Sequence, residues 1–548
     1  MGLGRAPVTR RRLGTALLAG VPLAFLLAFF VWPVGSIVAT GLFPGGRFDP
    51  DPFRRALGGG LPGIAWFTLW QAAASTGLTL LVALPGAYVF ARFDFPGKRL
   101  LRTLATVPFV LPTVVVGTAF LALIGPGGLL GFRLDGTIWA ILAAHVFFNY
   151  AVVLRTVGGL WSHLDPRLEE AARMLGAGRW RTFTTVTLPL LRPALAAASS
   201  LVFLFTFTSF GVILILGGAG LRTIEVEIYR RTTALFDLPL AAVLALIQMV
   251  AVTAVLLAYA RYQERRSVEQ SLRPAAEVAR RPRTAREWGL VAGTLLPTGL
   301  LLLGPPAVLV ARSLQGEGGW GLEFYRALGE PGRTGARLVD PLQAVGNSTG
   351  FATVATLVAL AVGLMAASVI AYRRGRAGRW FDTLLMLPLG TSAVTIGFGF
   401  LVALDAPIDL RASWVLVPLA HALVAMPFVV RTVVPVMRSV RTRLREAAAM
   451  LGAPPGRVWR EIDLPLVARA AAAGAGFAFA VSLGEFGATA FIARPDTITM
   501  PVAIFRFLGQ PGGLNFGRAM AMSVVLMVVT AAAVALIDRY RPTTLGEF

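Results

Sequence analysis

The stretch Glu170-Ala-Ala-Arg-Met-Leu-Gly176 recurs 276 residues later as Glu446-Ala-Ala-Ala-Met-Leu-Gly452. A Leu-Pro pair follows each copy at the same offset, as Leu188-Pro189 and Leu464-Pro465. The offset is about half of the 548-residue chain, and 12 of the 23 positions from 167 to 189 are identical to their counterparts. Self-similarity at a fixed offset marks a repeated architecture. The sequence therefore predicts two related halves, each carrying one copy of this polar segment.

The rest of the chain is strongly apolar. Hydrophobic residues make up 56% of it and charged residues 14%, whereas charged residues are about 25% of a typical soluble domain. Twelve apolar blocks are each long enough to cross a hydrocarbon core of about 30 Å. Helices suit such blocks because each backbone polar group finds its partner within its own segment. We therefore expect an all-α polytopic membrane protein with about 12 transmembrane helices, arranged as two homologous six-helix halves. The predicted spans are residues 14–40, 64–91, 103–125, 137–158, 190–216, 239–260, 288–311, 347–371, 381–404, 412–436, 466–492 and 519–537.

The excess of positive charge follows this topology. The formal net charge is +23. When the loops are assigned alternately to the two sides, with the N-terminus inside, 36 of the 51 lysines and arginines lie on the cytoplasmic side. This is the bias of the positive-inside rule, and basic residues near spans also attract anionic lipid headgroups. The charge therefore indicates a multi-pass membrane protein with both termini cytoplasmic. Its partner would be membrane lipid and not nucleic acid.

Residue counts exclude several kinds of chemistry. The chain has no cysteine, so disulfides and thiolate metal sites are excluded, and it has only three histidines. Its single lysine, Lys98, lies in Gly97-Lys98-Arg99, whereas a phosphate-binding loop needs Gly-Lys-Ser/Thr. No clustered Ser/His/Asp arrangement supports catalysis. The chain is therefore predicted to be a transport subunit and not an enzyme, with no metal and no bound cofactor. Any ATPase that drives it is a separate polypeptide.

The twelve predicted spans divide evenly around a polar segment. Residues 261–287 are rich in Arg, Glu and Pro and are interpreted as a cytoplasmic linker between a first half, 1–260, and a second half, 288–548. Because six is an even number, both halves have the same orientation and form a parallel repeat about an axis along the membrane normal. The polar loops 165–189 and 441–465 then follow the fourth span of each half and lie on the cytoplasmic side.

Each polar loop is predicted to contain a short helix. The glutamates near its start suit the helix dipole, and Gly176 and Gly452 suit its C-terminal end. One face carries a small apolar ridge suited to insertion in a protein groove. The alternative is a helix lying on the membrane surface, which does not explain the fixed spacing in both halves. The ridge residues are Leu168, Ala171, Ala172 and Leu175, and their counterparts are Leu444, Ala447, Ala448 and Leu451.

These residues resemble the EAA signature of the inner-membrane permeases of binding-protein-dependent ABC importers. That signature is Glu-Ala-Ala, a Gly four residues after the second Ala, and Ile-x-Leu-Pro ten residues beyond the Gly. The second copy matches throughout, with Ile462 in place, and the first copy has Val186 instead of Ile. A chain with two such halves is similar to the fused permeases of the ferric-iron and thiamine branch. The stretch Ser482-Leu-Gly-Glu-Phe-Gly487 also resembles that branch.

The resemblance implies a type I importer fold in the bacterial plasma membrane, and it implies a mechanism. Each EAA helix would be a coupling helix seated in one copy of a cytoplasmic ABC ATPase dimer, which binds ATP and Mg. An extracytoplasmic substrate-binding protein would deliver the substrate, and ATP-driven closure would turn the pore outward. The coupling residues that it implies are Glu170, Ala171, Ala172, Gly176, Leu188, Pro189, Glu446, Ala447, Ala448, Gly452, Leu464 and Pro465.

Glu485 is the only acidic residue well inside a predicted span, and an ionisable group there is a functional candidate by default. Gly484 and Gly487 flank it, so the helix is expected to be broken there, near the outer face. The functional interpretation is an outer gate or a cation contact, and the alternative is a solvated or paired carboxylate at the interface. His145 and His421, which match at offset 276, are interpreted as packing residues. The candidate gate or pathway residues are Ser209, Phe210, Gly211, Glu485, Phe486 and Gly487.

The leading hypothesis is the permease subunit of an ATP-driven ABC importer, with ferric iron or thiamine as the expected substrate. Importers of polyamines and of sulfate- or molybdate-type oxyanions share the architecture and stay open as alternatives. An ion-coupled secondary transporter, a different class, can also have six plus six spans. That class predicts more ionisable residues inside the spans and leaves the repeated EAA stretch unexplained.

Overall fold

Helices account for nearly all of the secondary structure. The computed structural model describes residues 8–58, 60–266, 273–316, 318–329, 340–372, 375–406, 409–439 and 442–540. Within these residues the strands Gln315–Gly316 and Gly319–Trp320 form an antiparallel hairpin, and the other elements are helices. The prediction of an all-α protein is confirmed.

The helices follow one another in matching order in the two halves. The α-helices before the linker are Val8–Leu26, Trp32–Leu42, Asp51–Gly58, Leu61–Arg92, Lys98–Val110, Thr113–Ile124, Ile138–Trp161, Arg167–Met174, Arg179–Thr182, Leu188–Phe207, Gly211–Leu216, Ile224–Thr233 and Leu238–Arg266. Those in and after the linker are Ala275–Val278, Ala285–Ser313, Glu323–Ala327, Pro341–Tyr372, Arg376–Met386, Ala393–Ala403, Leu416–Ser439, Thr442–Met450, Pro455–Val458, Leu464–Gly484, Thr489–Ile492, Met500–Leu508 and Gly513–Tyr540. The π-helical segments are Leu27–Val31, Phe183–Thr187 and Trp459–Asp463, and the 3-10 turns are Pro44–Gly46, Leu387–Gly390 and Leu410–Ala412.

The twelve predicted spans all correspond to long apolar helices or helix pairs. In the described part of the chain ten helices are long and apolar enough to cross a membrane alone, and two bent pairs complete a set of twelve. The prediction of about 12 transmembrane helices is confirmed. In chain order, spans 1 to 12 are Leu17–Leu42, Leu61–Arg92, Lys98–Val110 with Thr113–Ile124, Ile138–Trp161, Arg179–Phe207, Leu238–Gln263, Ala285–Ser313, Pro341–Tyr372, Gly378–Gly390 with Ala393–Ala403, Leu416–Ser439, Gly456–Gly484 and Gly513–Ala535.

Spans 3 and 9 are not the straight helices that the apolar blocks 103–125 and 381–404 predict. The two helices of span 3 meet at 103° and those of span 9 at 95°. Pro112 accounts for the first bend, because a residue that precedes proline avoids the helical conformation, and here that residue is extended. In span 9 the Ser392 hydroxyl starts a new helix by accepting the N–H of Val394 at 3.1 Å.

Spans 5 and 11 end earlier than the predicted blocks 190–216 and 466–492. Span 5 stops three residues before the short helix Gly211–Leu216, and span 11 stops four residues before Thr489–Ile492. The break expected beside Glu485 is therefore present, and the first half has one at the equivalent place. A second short helix then leads to the last span of each half; these helices are Ile224–Thr233 and Met500–Leu508.

The first span of each half packs against the other half. Span 1 contacts spans 8, 9 and 10, and the indole N–H of Trp32 donates to the carbonyl of Ala403 in span 9 at 3.1 Å. Span 7 contacts spans 2 and 3, and its Thr298 hydroxyl lies 3.1 Å from the Tyr150 hydroxyl in span 4. This exchange of helices joins the two halves into one hydrophobic core.

The linker packs on the first half near its EAA loop. The N–H of Arg280 donates to the carbonyl of Arg92 at 3.0 Å, and its guanidinium lies 5.4 Å from the ring centre of Phe93. Arg273 forms an ion pair with Asp165 at 2.8 Å, two residues before the first EAA helix begins. The linker therefore supports the first EAA helix directly.

Candidate functional site

Each EAA helix ends in the same hydrogen-bonded turn. In the first half the N–H of Ala177 donates to the carbonyl of Ala172 at 3.0 Å, and Gly176 between them has φ of 86°. The counterparts Ala453, Ala448 and Gly452 repeat this arrangement, with 3.0 Å and φ of 81°. A glycine in the left-handed region followed by this bond is the Schellman motif. The glycine of the signature is therefore required by the backbone conformation.

The ends of the EAA helices expose large apolar side chains. Met174 and Leu175 are 88% and 89% exposed, and Met450 and Leu451 are 89% and 88% exposed. The ridge residues Leu168 and Leu444 are about half exposed, while Ala172 and Ala448 are half-buried. The two methionines were not among the predicted ridge residues. A flexible thioether adapts to an irregular surface, so they enlarge the apolar patch available to a partner. The carboxylates of Glu170 and Glu446 are exposed beside it.

The first EAA helix is held against span 2 by a partly buried ion pair. Arg92, the last residue of span 2, places Nη2 2.6 Å from Oε1 of Glu169. The Thr187 hydroxyl donates to the same oxygen at 2.9 Å. The side chains of Arg92 and Glu169 are only 9% and 17% exposed, so water screens the pair weakly. We call Arg92, Glu169 and Thr187 the first brace.

The second EAA helix has an equivalent brace with the charges reversed. Arg445, the counterpart of Glu169 at offset 276, pairs with Asp463 at 2.6 Å. Asp463 is the counterpart of Thr187 at the same offset. The Arg445 guanidinium also lies 5.1 Å from the ring centre of Tyr372, which ends span 8 as Arg92 ends span 2. We call Tyr372, Arg445 and Asp463 the second brace.

A buried histidine supports the helix break in the first half. His145 bonds the Ser75 hydroxyl of span 2 through Nδ1 and the Ser209 hydroxyl of the break through Nε2, both at 2.9 Å. The ring thus uses both nitrogens to hold a neighbouring span and the break. In the described part of the chain it belongs to no group of three or more potential metal ligands.

The second half adds a carboxylate at the equivalent break. His421 bonds the hydroxyls of Ser482 and Thr489 at 2.7 and 2.8 Å, and its Nε2 lies 3.2 Å from Oε2 of Glu485. Glu485 also accepts the N–H groups of Ala488 and Thr489 at 2.7 and 3.0 Å. The Glu485 side chain is only 3% exposed. It is therefore a paired carboxylate, as one alternative expected, but it is buried and not solvated. Each histidine hydrogen-bonds to residues at the helix break of its half, which is a more specific role than packing.

The two break motifs meet at the seam between the halves. The rings of Phe210 and Phe486 stack with centroids 5.3 Å apart and 20° between their planes. Tyr229 lies 5.4 Å from Phe210, and its counterpart Phe505 lies 5.5 Å from Phe486. The structure thus brings the two gate candidates together and adds two aromatic residues that sequence reasoning missed.

The glycines of the break motifs allow each break to lie against a bent span. A Cβ atom on Gly211 would lie 2.6 Å from Oγ1 of Thr113, and one on Gly487 would lie 2.8 Å from Cβ of Ala393. Thr113 and Ala393 begin the second helix of spans 3 and 9. Each glycine is therefore needed for a close approach that is equivalent in the two halves.

The loops after the bent spans carry another charge-reversed contact. Arg133 pairs with Asp135 at 3.0 Å, and Asp409 pairs with Arg411 at 3.0 Å. These positions match at offset 276 with acid and base exchanged. The hydrogen bond from the neighbouring guanidinium holds the pKa of Asp135 and of Asp409 below its ordinary value. Both exposed loops therefore present an intact ion pair at neutral pH.

The sequence is similar to known transport proteins over nearly its whole length. The family described as binding-protein-dependent transport system inner membrane component matches it twice, at residues 80–268 and 359–544. Each match contains one EAA helix, one brace and one helix break. The duplicated features described above thus belong to two copies of one family domain.

Individual relatives support the same assignment. The thiamine transport system permease protein ThiP of Brucella abortus (strain 2308) is 29% identical over 545 residues, which cover 95% of this chain and 94% of the relative. ThiP of Escherichia coli (strain K12) is 27% identical over 465 residues, covering 81% and 83%. The sulfate transport system permease protein CysT of Escherichia coli (strain K12) is 37% identical over 139 residues, covering 24% of this chain and 50% of the relative. With both domain matches in place, the chain belongs to the family of inner-membrane components of binding-protein-dependent transport systems and is a fused, two-half permease of an ABC importer.

Proposed function

We propose that this permease imports thiamine. The observation that carries the proposal is the similarity to permeases named for thiamine transport over 95% of the chain. The match to a sulfate permease covers only 24% of the chain. Thiamine is therefore favoured over ferric iron, polyamines and oxyanions as the substrate.

We infer that the two EAA helices are the docking sites of a separate ATPase dimer, which binds ATP and Mg. Support comes from the exposed apolar ends, Met174-Leu175 and Met450-Leu451, because exposing such side chains to water is unfavourable unless a partner covers them. With the positive-inside bias, these helices and both termini face the cytoplasm, and a substrate-binding protein delivers thiamine from the other side. The halves 1–260 and 288–548 are joined by the linker 261–287.

The braces make the two docking helices mechanically unequal. The ion pair of the first brace joins its EAA helix to the end of span 2, whereas the ion pair of the second joins its EAA helix to the π-helical segment within span 11. Movement of the ATPase dimer is therefore transmitted through the ion pair to span 2 in the first half and to span 11 in the second. We propose that this movement separates the halves at the break motifs, which act as the gate.

Uptake by the reconstituted complex tests the proposed function. Proteoliposomes that contain this permease, its ATPase and its binding protein should accumulate labelled thiamine only when ATP is supplied to the ATPase side. Dissipating ion gradients should leave this uptake intact. Accumulation of sulfate or ferric iron in place of thiamine would exclude the proposed substrate. Uptake driven by an ion gradient without ATP would instead favour the secondary-transporter class.

Phe486→Ala tests the gate. The variant removes the stack with Phe210, a contact worth about 0.5–1.5 kcal/mol beyond burial, so closure of the seam should weaken. ATP hydrolysis in the absence of the binding protein is expected to rise about threefold to tenfold, while thiamine uptake per ATP falls. Phe203→Ala is a matched control, because Phe203 stacks on Phe207 at 5.5 Å and 19° within one half. Equal hydrolysis in both variants would argue against a gate at the Phe210–Phe486 stack.

A further inference from the structure

Glu225 is a buried carboxylate that joins the two halves. It lies in the helix Ile224–Thr233, which follows the break of the first half, and it is 0% exposed. Its Oε1 accepts from the Gln248 side-chain amide at 3.1 Å, and its Oε2 accepts from the Ser392 hydroxyl at 2.8 Å. Ser392 belongs to the bend of span 9 in the second half. The Ser392 hydrogen bond therefore crosses the seam beside the break motifs.

The buried carboxyl group of Glu225 has hydrogen-bond donors beside it but no ion-pair partner among the described residues. None of the ion pairs among the described residues includes it, whereas Glu227, two residues further on, pairs with Arg222, Arg230 and Arg231. Burying a carboxylate without a cation is costly even when hydrogen bonds are present. Glu227 therefore has basic partners, whereas the hydrogen-bond partners of Glu225 in the described structure are neutral.

Several polar atoms around Glu225 have no hydrogen-bond partner in the described structure. The amide of Gln248 donates to the carboxylate, which leaves its own Oε1 buried and without a hydrogen-bond partner in the described structure. The hydroxyls of Thr223, just before the helix that carries Glu225, and of Thr395, in the first turn of the helix that Ser392 caps, are also buried without partners. Unpaired buried oxygens of this kind need an explanation in a native protein. A positively charged occupant satisfies the carboxylate and the amide oxygen together.

Aromatic rings continue the same helix face. Tyr229 lies one turn after Glu225, so the two side chains share a face of the helix. The Tyr229 ring is 5.4 Å from Phe210 and 5.5 Å from Phe491. Aromatic faces attract organic cations. The carboxylate and the rings therefore offer the two contacts that a flat, cationic ring prefers.

We propose that Glu225, with Gln248 and Ser392, forms a subsite within the membrane for the positively charged ring of an organic cation. When the halves separate, the Ser392 hydrogen bond breaks and the carboxylate faces the opening. This inference rests on the proposed import of thiamine, whose thiazolium ring is such a cation.

Substitution of Glu225 distinguishes charge from shape. In proteoliposomes with the ATPase and binding protein, Glu225→Gln should lower thiamine uptake about tenfold or more, because the charged contact is lost. Glu225→Asp, which keeps the charge, should retain most of it. An uncharged thiamine analogue, with thiophene in place of thiazolium, should be taken up at the same rate by Glu225→Gln and the native protein. Analogue uptake and stimulated ATP hydrolysis in the same vesicles report that the variant is folded.

A purely structural role of the seam contact predicts different results. Ser392→Ala removes the hydrogen bond and keeps the charge, so it should change uptake of thiamine and of the analogue by the same factor. If Glu225→Gln also changes both by one factor, or if Glu225→Asp and Glu225→Gln behave alike, the cation subsite is excluded. If the native protein takes up thiamine in that experiment, only the cation subsite is refuted and the proposed function is retained. Absence of uptake by the native protein refutes the function itself.

Discussion

Gly452→Val is expected to lower thiamine uptake about tenfold or more while the protein still inserts in the membrane. Gly452 has φ of 81°, a conformation that costs an L-residue about 1–2 kcal/mol and a β-branched one more. The valine would move the chain out of the left-handed region and break the bond from Ala453 to Ala448. The end of the EAA helix, with Leu451, would then be displaced from its docking position. Copurification of the ATPase and uptake in proteoliposomes measure the effect.

Gly456→Val provides the matched control. Gly456 is exposed in the short helix Pro455–Val458 that follows, has no positive φ, and a Cβ atom there would meet nothing within 4 Å. Its valine variant should bind the ATPase and import thiamine normally. Near-normal uptake by Gly452→Val, or an equal loss in both variants, would contradict the role given to the Schellman turn.

Glu169→Arg is expected to lower uptake about tenfold or more, by breaking the first brace. The new guanidinium would lie beside Arg92, whose side chain is 9% exposed, so two like charges would share a weakly screened site. The cost is on the order of 1–3 kcal/mol, less than for a fully buried pair. Since the brace joins the EAA helix to span 2, the loss should appear chiefly as fewer thiamine molecules imported per ATP hydrolysed.

The residues of the second brace suggest a way to rescue Glu169→Arg. Combining Glu169→Arg with Arg92→Tyr and Thr187→Asp installs the residues of the second brace at the equivalent positions of the first. This triple variant should recover most of the uptake and of the transport-to-hydrolysis ratio, although it retains the substitution that is harmful alone. A triple variant no better than Glu169→Arg would mean that the charge-reversed braces are not interchangeable.

The features that the sequence predicted are those that depend on residues close together in the chain. The spans follow from apolar blocks, and the EAA helices follow from local spacing, with Gly176 and Gly452 correctly expected at their ends. The bends of spans 3 and 9 were missed because length and hydropathy do not distinguish a straight helix from two helices that meet at a proline or a capping serine. Pro112 and Ser392 are the residues whose presence in the sequence indicates these two bends.

The braces and the seam could not be read from the sequence, because their partners lie far apart in it. Arg92 and Tyr372 correspond only at offset 280, whereas Glu169 and Arg445 correspond at 276. No single register therefore aligns a whole brace. Glu225 escaped notice for another reason, since it lies in a segment between spans and its burial depends on Ser392 of the other half.

The charge reversal of the braces has a consequence for the history of the gene. The two EAA segments remain alike enough, at 12 of 23 positions, for one repeat to be copied over the other. Copying the second over the first would bring an arginine to position 169 and an aspartate to position 187, but would leave Arg92 beside that arginine. Copying the first over the second would remove the Arg445–Asp463 pair and leave Tyr372 beside a glutamate. Either conversion event would leave one brace mismatched with the residue at the end of its span 2 or span 8. Because Arg92 and Tyr372 lie outside the repeated segments, each EAA segment is matched to its own half, and conversion between the two repeats would be disadvantageous.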